Sequence, residues 1–287
     1  MDIFVTSLLS FAVVVIMFSL GLGLTPLDFR RIIERPRAFC IGALNQIVLI
    51  PIVAYVVILV FGFTAETAVG MMILAACPGG AASNVITKLA HWDVALSVTL
   101  TATFSLTCVL TIPVVLSFAM AHFMGAAAPD VDIASTAITA FLLTALPIAL
   151  GVTARAAAPK MTASIAPILS KLAVVLFAAV IAGAIASNWR VVQDNFAQLG
   201  MALFVLVASL SILGFGVSWC LGSSDTEAKT ISIETGVQNG ALALALSGLL
   251  IANGPTFNAF AIPAALYSVV WLATALPVFL FVGLRGR

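Results

Sequence analysis

The chain has 287 residues, of which 63% are hydrophobic and 8% are charged, and its mean hydropathy is +1.24. Because a soluble domain is about a quarter charged, this composition excludes an ordinary soluble protein and predicts one that lies in the membrane. The formal net charge of +1 excludes a nucleic-acid surface, which needs a concentrated basic face.

Apolar runs long enough to cross a bilayer follow one another along the whole chain. A crossing takes about 20 apolar residues, and we expect the first run to be a retained helix rather than a signal peptide. We therefore predict an all-α polytopic membrane protein, with a single membrane domain over 1–287 and nine transmembrane helices. The segments are 3–24, 38–61, 65–88, 94–122, 133–153, 165–187, 196–221, 228–252 and 257–284.

The basic residues of the short loops collect on one side of this arrangement, which sets its orientation. The opposite side carries only Arg190, and Lys171 lies near the basic end of its segment. We predict a plasma or inner membrane protein with its N-terminus outside and its C-terminus in the cytoplasm. The loop and terminal residues on the basic side are Arg30, Arg31, Arg35, Arg37, Lys88, Arg155, Lys160, Lys229, Arg285 and Arg287.

The third segment, ETAVGMMILAACPGGAASNVITKLA, carries Pro78, Gly79 and Gly80 at its middle. Proline removes a backbone hydrogen bond and glycines weaken a helix, so we predict a break there. Ser83 and Asn84 then lie in the first turn of a second half-helix, whose N-terminus favours an anion.

The eighth segment is interrupted in a similar way, by Glu234, Gly236 and Gln238 within ISIETGVQNGALALALSGLLIA. Interrupted helices, one in each half of a chain, point to the binding site of an inverted-repeat transporter. The two segments are five apart and so cross the membrane in opposite directions, as inverted repeats require. We predict repeats over 1–125 and 130–287, the first of which has lost its opening helix.

Glu234 is the only carboxylate predicted to lie in the membrane, and no Lys or Arg lies at its depth. Either a proton or a hard cation with oxygen ligands could neutralise it. Ser97 and Thr101, four residues apart on one helix face, favour the cation, because a transition metal would want His or Cys. Further uncharged oxygens come from Ser83, Asn84, Gln46, Gln238 and the carbonyls freed near Thr235 and Val237.

These residues resemble the bile acid:sodium symporter family over essentially the whole chain, in its nine-helix form. The resemblance rests on CPGGAASN at 77–84, ETGVQNG at 234–240, NQ at 45–46 and the Ser97/Thr101 pair. It implies a core domain and a smaller panel domain, with the two broken helices crossing in the core. The panel would be 3–24, 133–153 and 165–187, and the core 38–61, 65–88, 94–122, 196–221, 228–252 and 257–284.

The resemblance also implies two sodium ions. Together with the negative charge of Glu234 they leave one positive charge, which a monoanionic substrate would balance. The first sodium site would be Ser83, Asn84, Ser97, Thr101 and Glu234, and the second Gln46, Glu234, Thr235, Val237 and Gln238. The crossing would face the substrate through Ala81, Ala82 and Asn239.

Two departures from the family pattern fall near the expected substrate cavity. Ala81 replaces a Thr of some bacterial relatives, and Trp271-Leu272 replaces a His-Asn pair. Trp271 is therefore a further candidate substrate contact. The substrate could be bile-acid-like or a small carboxylate such as pantoate or a 2-oxo acid.

We thus predict a sodium-coupled organic anion symporter that works by alternating access. Its partners would be the anion, sodium ions and lipid, with no nucleic acid and no obligate protein partner. A proton-coupled transporter with Glu234 as the proton carrier is the nearest alternative, and it would show pH dependence without a sodium effect. A channel would need pore motifs and an enzyme would need a nucleophile and base, and neither pattern is present in the sequence.

Overall fold

The computed structural model describes residues 2–25, 30, 32–34, 36–63, 65–129, 132–187, 189–250 and 257–284. Helices make up nearly all of the regular structure in these ranges. They are α1 (Asp2–Gly23), α2 (Pro36–Phe61), α3 (Ala65–Ala76), α4 (Ala81–Leu89), α5 (Val94–Phe123), α6 (Ile133–Ala157), α7 (Pro159–Ser187), α8 (Trp189–Cys220), α9 (Asp225–Gly236), α10 (Gly240–Leu249) and α11 (Ile262–Leu284).

Five helical stretches in the described ranges are long and apolar enough to cross a membrane. They are Pro36–Phe61, Val94–Phe123, Ile133–Ala157, Pro159–Leu176 and Trp189–Cys220. Shorter apolar helical stretches are Ser7–Gly23, Ala65–Ala76, Gly240–Leu249 and Ile262–Trp271. The fold is therefore all-helical, as expected for a polytopic membrane protein.

Several helices extend beyond the apolar segments that predicted them. α7 begins at Pro159 rather than 165, and α8 begins at Trp189 rather than 196. Hydropathy marks the part of a helix that suits lipid, whereas polar residues such as Arg190 and Asp194 continue the helix past that part. The end predicted at 252 lies outside the described residues.

Polar residues of the connecting segments cap several of the helices. The Asp93 carboxylate accepts a hydrogen bond from the backbone N–H of Leu96 (3.0 Å) at the start of α5. Ser224 and Glu227 form a capping box at the start of α9. Such caps satisfy the N–H groups that a helix start leaves without partners, so the loop sequences fix where these helices begin.

A π-helical turn precedes a proline in both α2 and α6. The turns are Asn45–Leu49, before Pro51, and Phe141–Ala145, before Pro147. A proline inside a helix lacks its N–H and clashes with the carbonyl four residues earlier, and the wider turn accommodates this. In α2, the turn places the Asn45 and Gln46 side chains in the interior, where both are buried.

Close backbone approach joins α1 to α6. A Cβ on Gly21 of α1 would meet the carbonyl oxygen of Ile148, and a Cβ on Gly151 of α6 would meet that of Phe18. α1 also packs along α7, while α8 packs against α9 and α11, and α5 packs against α3. The first, fifth and sixth predicted segments are therefore neighbours.

Candidate functional site

The two predicted interruptions meet in the interior and pair with each other. α3 ends at Ala76 and α9 ends at Gly236, and Gly79 and Gln238 form an antiparallel bridge between the two gaps. The Gly80 N–H donates to the Val237 carbonyl (3.1 Å), and the Asn239 N–H donates to the Pro78 carbonyl (2.8 Å). Each interruption thus satisfies backbone groups that the other would leave unpaired in a membrane interior.

Glu234 lies in the last turn of α9 with only 4% of its surface exposed. Its carboxylate accepts hydrogen bonds from the Ser97 hydroxyl (3.0 Å) and from the Thr101 hydroxyl. In the described part of the chain, no Lys or Arg forms an ion pair with it. A buried carboxylate without a basic partner needs another source of positive charge.

The side-chain carbonyl of Asn84 faces the same two hydroxyls. Its oxygen lies 2.8 Å from the Ser97 hydroxyl and 3.4 Å from that of Thr101. Three acceptor oxygens, two from Glu234 and one from Asn84, therefore share two hydroxyl protons. An oxygen-rich cluster with surplus acceptors and one negative charge suits a hard cation.

Ser83 also lies at the Glu234 carboxylate, with which its side chain forms a hydrogen-bond contact. Its hydroxyl donates to the Gly80 carbonyl at 2.7 Å. Ser side chains near a helix start commonly bond to the local backbone in this way. Hydrogen bonds thus link Glu234 to Ser97 and Thr101, and these two hydroxyls to Asn84, with Ser83 beside them.

The residues of the predicted second site lie around the same crossing, but their carbonyls are already engaged. The Gln238 amide donates to the Thr235 carbonyl (2.8 Å), and the Val237 carbonyl accepts the Gly80 N–H. In this conformation each of the two carbonyls therefore accepts one hydrogen bond, because the chain folds back on itself. Each carbonyl oxygen still has a second lone pair.

Gln46 reaches the crossing from α2, where its amide donates to the Cys77 carbonyl at 3.0 Å. The side-chain oxygen of Gln238 is buried, and it has no hydrogen-bond partner among the described residues. Buried polar atoms in proteins nearly always have a partner. This oxygen is therefore available to a ligand at the crossing.

The predicted substrate contacts also lie beside the crossing. The Asn239 side-chain oxygen caps α10 by accepting the Leu242 N–H (3.0 Å), while its buried NH₂ group has no partner within the described ranges. Ala82 and Trp271 are half-buried against Ile233 and Val237. Ala81 begins α4.

Two site residues were missed at the sequence level. The Tyr267 hydroxyl accepts the Gln238 N–H at 2.6 Å, and Tyr267 is only 1% exposed. The Asn45 amide lies 3.3 Å from the Thr235 hydroxyl and 3.4 Å from the Gly214 carbonyl. Tyr267 could have been found from the sequence, because it is one of two tyrosines in the chain and lies in the middle of an apolar segment.

Fold and site together define an all-helical membrane protein with a buried carboxylate at the crossing of two interrupted helices. Residues 10–195 match the model of the sodium bile acid symporter family. The chain belongs to this family. The resemblance carried by the sequence motifs is thereby confirmed.

Curated relatives extend the match along the chain. A rice protein named "Probable sodium/metabolite cotransporter BASS2, chloroplastic" is 32% identical over 92% of this chain and 61% of its own length. The Bacillus subtilis "Uncharacterized sodium-dependent transporter YocS" is 29% identical over 89% of this chain and 76% of its own. The rat "Sodium-dependent organic anion transporter" is 28% identical over 82% of this chain and 62% of its own.

The chain spans about three fifths of the length of the rice and rat relatives. The family and these relatives carry the names of transporters and not of enzymes. This agrees with the prediction of a transporter.

Proposed function

We propose that this protein couples the transport of an organic anion to sodium. The observation that carries the proposal is the buried Glu234 carboxylate, held by the Ser97 and Thr101 hydroxyls without a basic partner among the described residues. The relatives named sodium-dependent support the choice of ion.

The oxygen cluster favours sodium over a proton as the coupling ion. A proton would bind one oxygen of Glu234 and would not draw the Asn84, Ser97 and Thr101 oxygens around one ligand. All of these oxygens can coordinate one sodium ion together. Ser83 can join them through a lone pair of its oxygen while its O–H still donates to the Gly80 carbonyl. We therefore place the first sodium ion among Ser83, Asn84, Ser97, Thr101 and Glu234.

A second sodium ion would lie on the other side of Glu234. Its ligands would be Gln46, Gln238 and the carbonyls of Thr235 and Val237. The unpartnered oxygen of Gln238 supports this choice, as does the second lone pair of each carbonyl. The Gln46 amide would have to present its oxygen instead of its NH₂ group.

Transport would proceed by alternating access between two groups of helices. We assign α1, α6 and α7 to the panel, supported by the close approach of α1 to α6, and the other helices to the core. The antiparallel pairing of the two interruptions supports the inverted repeat. The N-terminus would be outside and the C-terminus in the cytoplasm of a plasma or inner membrane.

The substrate would bind beside the crossing, where α4 and α10 begin. The unpartnered NH₂ group of Asn239 is a donor suited to an anion, and both helix starts favour negative charge. Ala82 and Trp271 would contact the rest of the molecule.

The proposal is tested by uptake into proteoliposomes with an inward gradient of sodium or of potassium. Labelled taurocholate, pantoate and 2-oxoisovalerate cover the three kinds of anion under consideration. We expect accumulation of at least one of them with sodium alone, and loss of that accumulation in Glu234→Gln. Uptake that follows a proton gradient and ignores sodium would instead establish the proton-coupled alternative.

A further inference from the structure

A cavity of about 20 Å³ lies between α2, α5 and the break that separates α3 from α4. Gln46 and Pro51 line it from α2, Thr107 and Thr111 from α5, and Pro78 from the break. A cavity holds a water molecule from about 10–15 Å³ upwards, provided that the water finds two to four polar partners. This cavity is therefore large enough for a single water and too small for an organic solute.

The two threonine hydroxyls of the cavity lack a hydrogen bond that other helical threonines of the chain make. Thr99 and Thr153, for example, donate to the carbonyl four residues earlier, at 2.7 and 2.8 Å. Among the described residues, the Thr107 hydroxyl reaches only the Phe104 carbonyl, at 3.4 Å, and the Thr111 hydroxyl makes no hydrogen bond. Because a spacing of four residues places Thr107 and Thr111 on one helix face, both hydroxyls are available to one ligand in the cavity.

Pro51 supplies the cavity with a carbonyl acceptor. In the π-helical turn of α2, an N–H bonds to the carbonyl five residues earlier, as the Ile50 N–H does with Asn45. Pro51 has no N–H, so it gives no such bond to the Gln46 backbone carbonyl. A water in the cavity would thus find hydroxyls on α5 and a backbone acceptor on α2.

The Gln46 side chain connects the cavity to the proposed second sodium site. Its NH₂ group donates to the Cys77 carbonyl at 3.0 Å, so its oxygen must exchange places with this group before it can coordinate sodium. Gln46 is only 8% exposed, and a buried donor without an acceptor costs free energy. The turned NH₂ group therefore needs a new acceptor, and the cavity lined by Gln46 offers room for one.

We propose that the cavity binds one water molecule, held by the Thr107 and Thr111 hydroxyls, which accepts a hydrogen bond from the Gln46 NH₂ group when the Gln46 oxygen binds the second sodium ion. This inference rests on the proposed function and adds the two threonines to it as positioning residues. Loss of a hydroxyl weakens the hold on this water and so weakens sodium binding. The sodium-free protein loses nothing, because its Gln46 NH₂ group is bound to Cys77.

The test follows the melting temperature of the detergent-purified protein as NaCl replaces KCl at constant ionic strength. Thr111→Val exchanges the hydroxyl for a methyl group of similar size, and Thr111→Ser keeps the hydroxyl. Thr107→Val is a second hydroxyl deletion at the same cavity. Thr153→Val is the matched control, because the Thr153 hydroxyl is exposed and bonds to its own helix.

We expect Thr111→Val and Thr107→Val to need about fivefold more sodium than the wild type for half of the full stabilisation, the loss of one hydrogen bond. Their melting temperatures in KCl alone should equal that of the wild type. Thr111→Ser and Thr153→Val should follow the wild type throughout. In Gln46→Ala, which lacks the amide, adding Thr111→Val should cause no further loss, because the two residues act through the same water.

An unchanged sodium requirement in both valine variants at the cavity would overturn the inference, as would a fivefold loss in Thr111→Ser. A fall of their melting temperatures in KCl as large as in NaCl would make the threonines packing residues only. A further fivefold loss on the Gln46→Ala background would show that Thr111 does not act through Gln46. If sodium and potassium act alike on the wild type, the proposed function fails too. If sodium alone stabilises the wild type and the valine variants equally, only this inference fails.

Discussion

The Gln238 backbone N–H shows how much a single hydroxyl contributes to the crossing. The break in α9 removes the helical partner of this N–H, and the Tyr267 hydroxyl accepts it at 2.6 Å. The same hydroxyl lies 3.5 Å from the Gly236 carbonyl. One side chain of α11 thus holds the interrupted backbone that carries the proposed ion ligands.

Replacing Tyr267 by Phe should therefore destabilise the protein by about 1–3 kcal/mol, the cost of leaving a buried donor without an acceptor. The readout is the melting temperature in detergent. Tyr55→Phe is the matched control, because the Tyr55 hydroxyl meets His122 Nε2 (2.9 Å) at an exposed position where water can replace it. An equal fall in the two variants would contradict this role of Tyr267.

The sequence predicted which polar residues form the site, but not which hydrogen bonds they make. Glu234 could be identified because a carboxylate buried in an apolar segment costs free energy unless a partner or ligand compensates its charge. The engagement of Ser83 with Gly80 and of the Val237 carbonyl with the Gly80 N–H depends on how two distant segments meet. Spacing along one helix carries no information on such contacts.

At the scale of helices, the two interruptions could be predicted because Pro and Gly act locally on the backbone. The family resemblance implied that the two interrupted helices cross, but the sequence did not predict that Gly79 and Gln238 pair. The early starts of α7 and α8 could not be predicted, because hydropathy does not detect the polar turns that extend a helix beyond its apolar segment. The π-helical turn that brings Asn45 inward was also missed, because hydropathy does not distinguish a π-helical turn from an α-helical one inside an apolar segment.

Gly79 must lack a side chain because it lies against Glu234 where the two interrupted helices cross. A Cβ at this position would meet the Glu234 carboxylate oxygen and lie 2.9 Å from its carbon. Gly79→Ala should displace the carboxylate from Ser97 and Thr101, and so remove most of the stabilisation by sodium. The measurement is the sodium-dependent shift in melting temperature.

Gly183→Ala is the control for this substitution, since among the described residues nothing beyond the backbone of its own helix lies within 4 Å of a Cβ built there. Alanine is the better helix former by up to about 1 kcal/mol, so this variant should keep the sodium response. A wild-type sodium response in Gly79→Ala would show that the carboxylate does not depend on the empty space at Gly79.

At the scale of the whole molecule, hydropathy identifies the residues that suit lipid and leaves open which helices pack together. The division into core and panel came from the family resemblance and not from the pattern of residues. The contacts of Gly21 and Gly151 support it by joining α1 to α6. Both glycines lie in apolar segments with no other mark of a contact.

Alternating access predicts that α5, which we assign to the core, moves against α6, which we assign to the panel. The Cys108 sulfur lies 3.6 Å from the Thr144 hydroxyl across this boundary, so Thr144→Cys should form a disulfide with Cys108 on oxidation. We expect the crosslink to stop sodium-driven uptake and a reductant to restore it. Binding of sodium, which needs only the core, should survive.

The crosslink is made in a background where the exposed cysteines Cys40 and Cys220 are replaced by Ser, which prevents links between molecules. The same background with Thr144 intact, treated with the oxidant, is the control. Full crosslinking with undiminished uptake would show that α5 and α6 do not separate during transport.

Sodium binding at Glu234 can be measured through the melting temperature of the protein in NaCl and in KCl of equal ionic strength. A ligand in hundredfold excess over its Kd stabilises the folded state by about 2.7 kcal/mol per site. We predict that sodium raises the melting temperature of the wild type and of Asp194→Asn, an exposed carboxylate control, and leaves that of Glu234→Gln unchanged. Equal effects of sodium and potassium on the wild type, or an undiminished sodium effect in Glu234→Gln, would show that Glu234 does not hold a sodium ion.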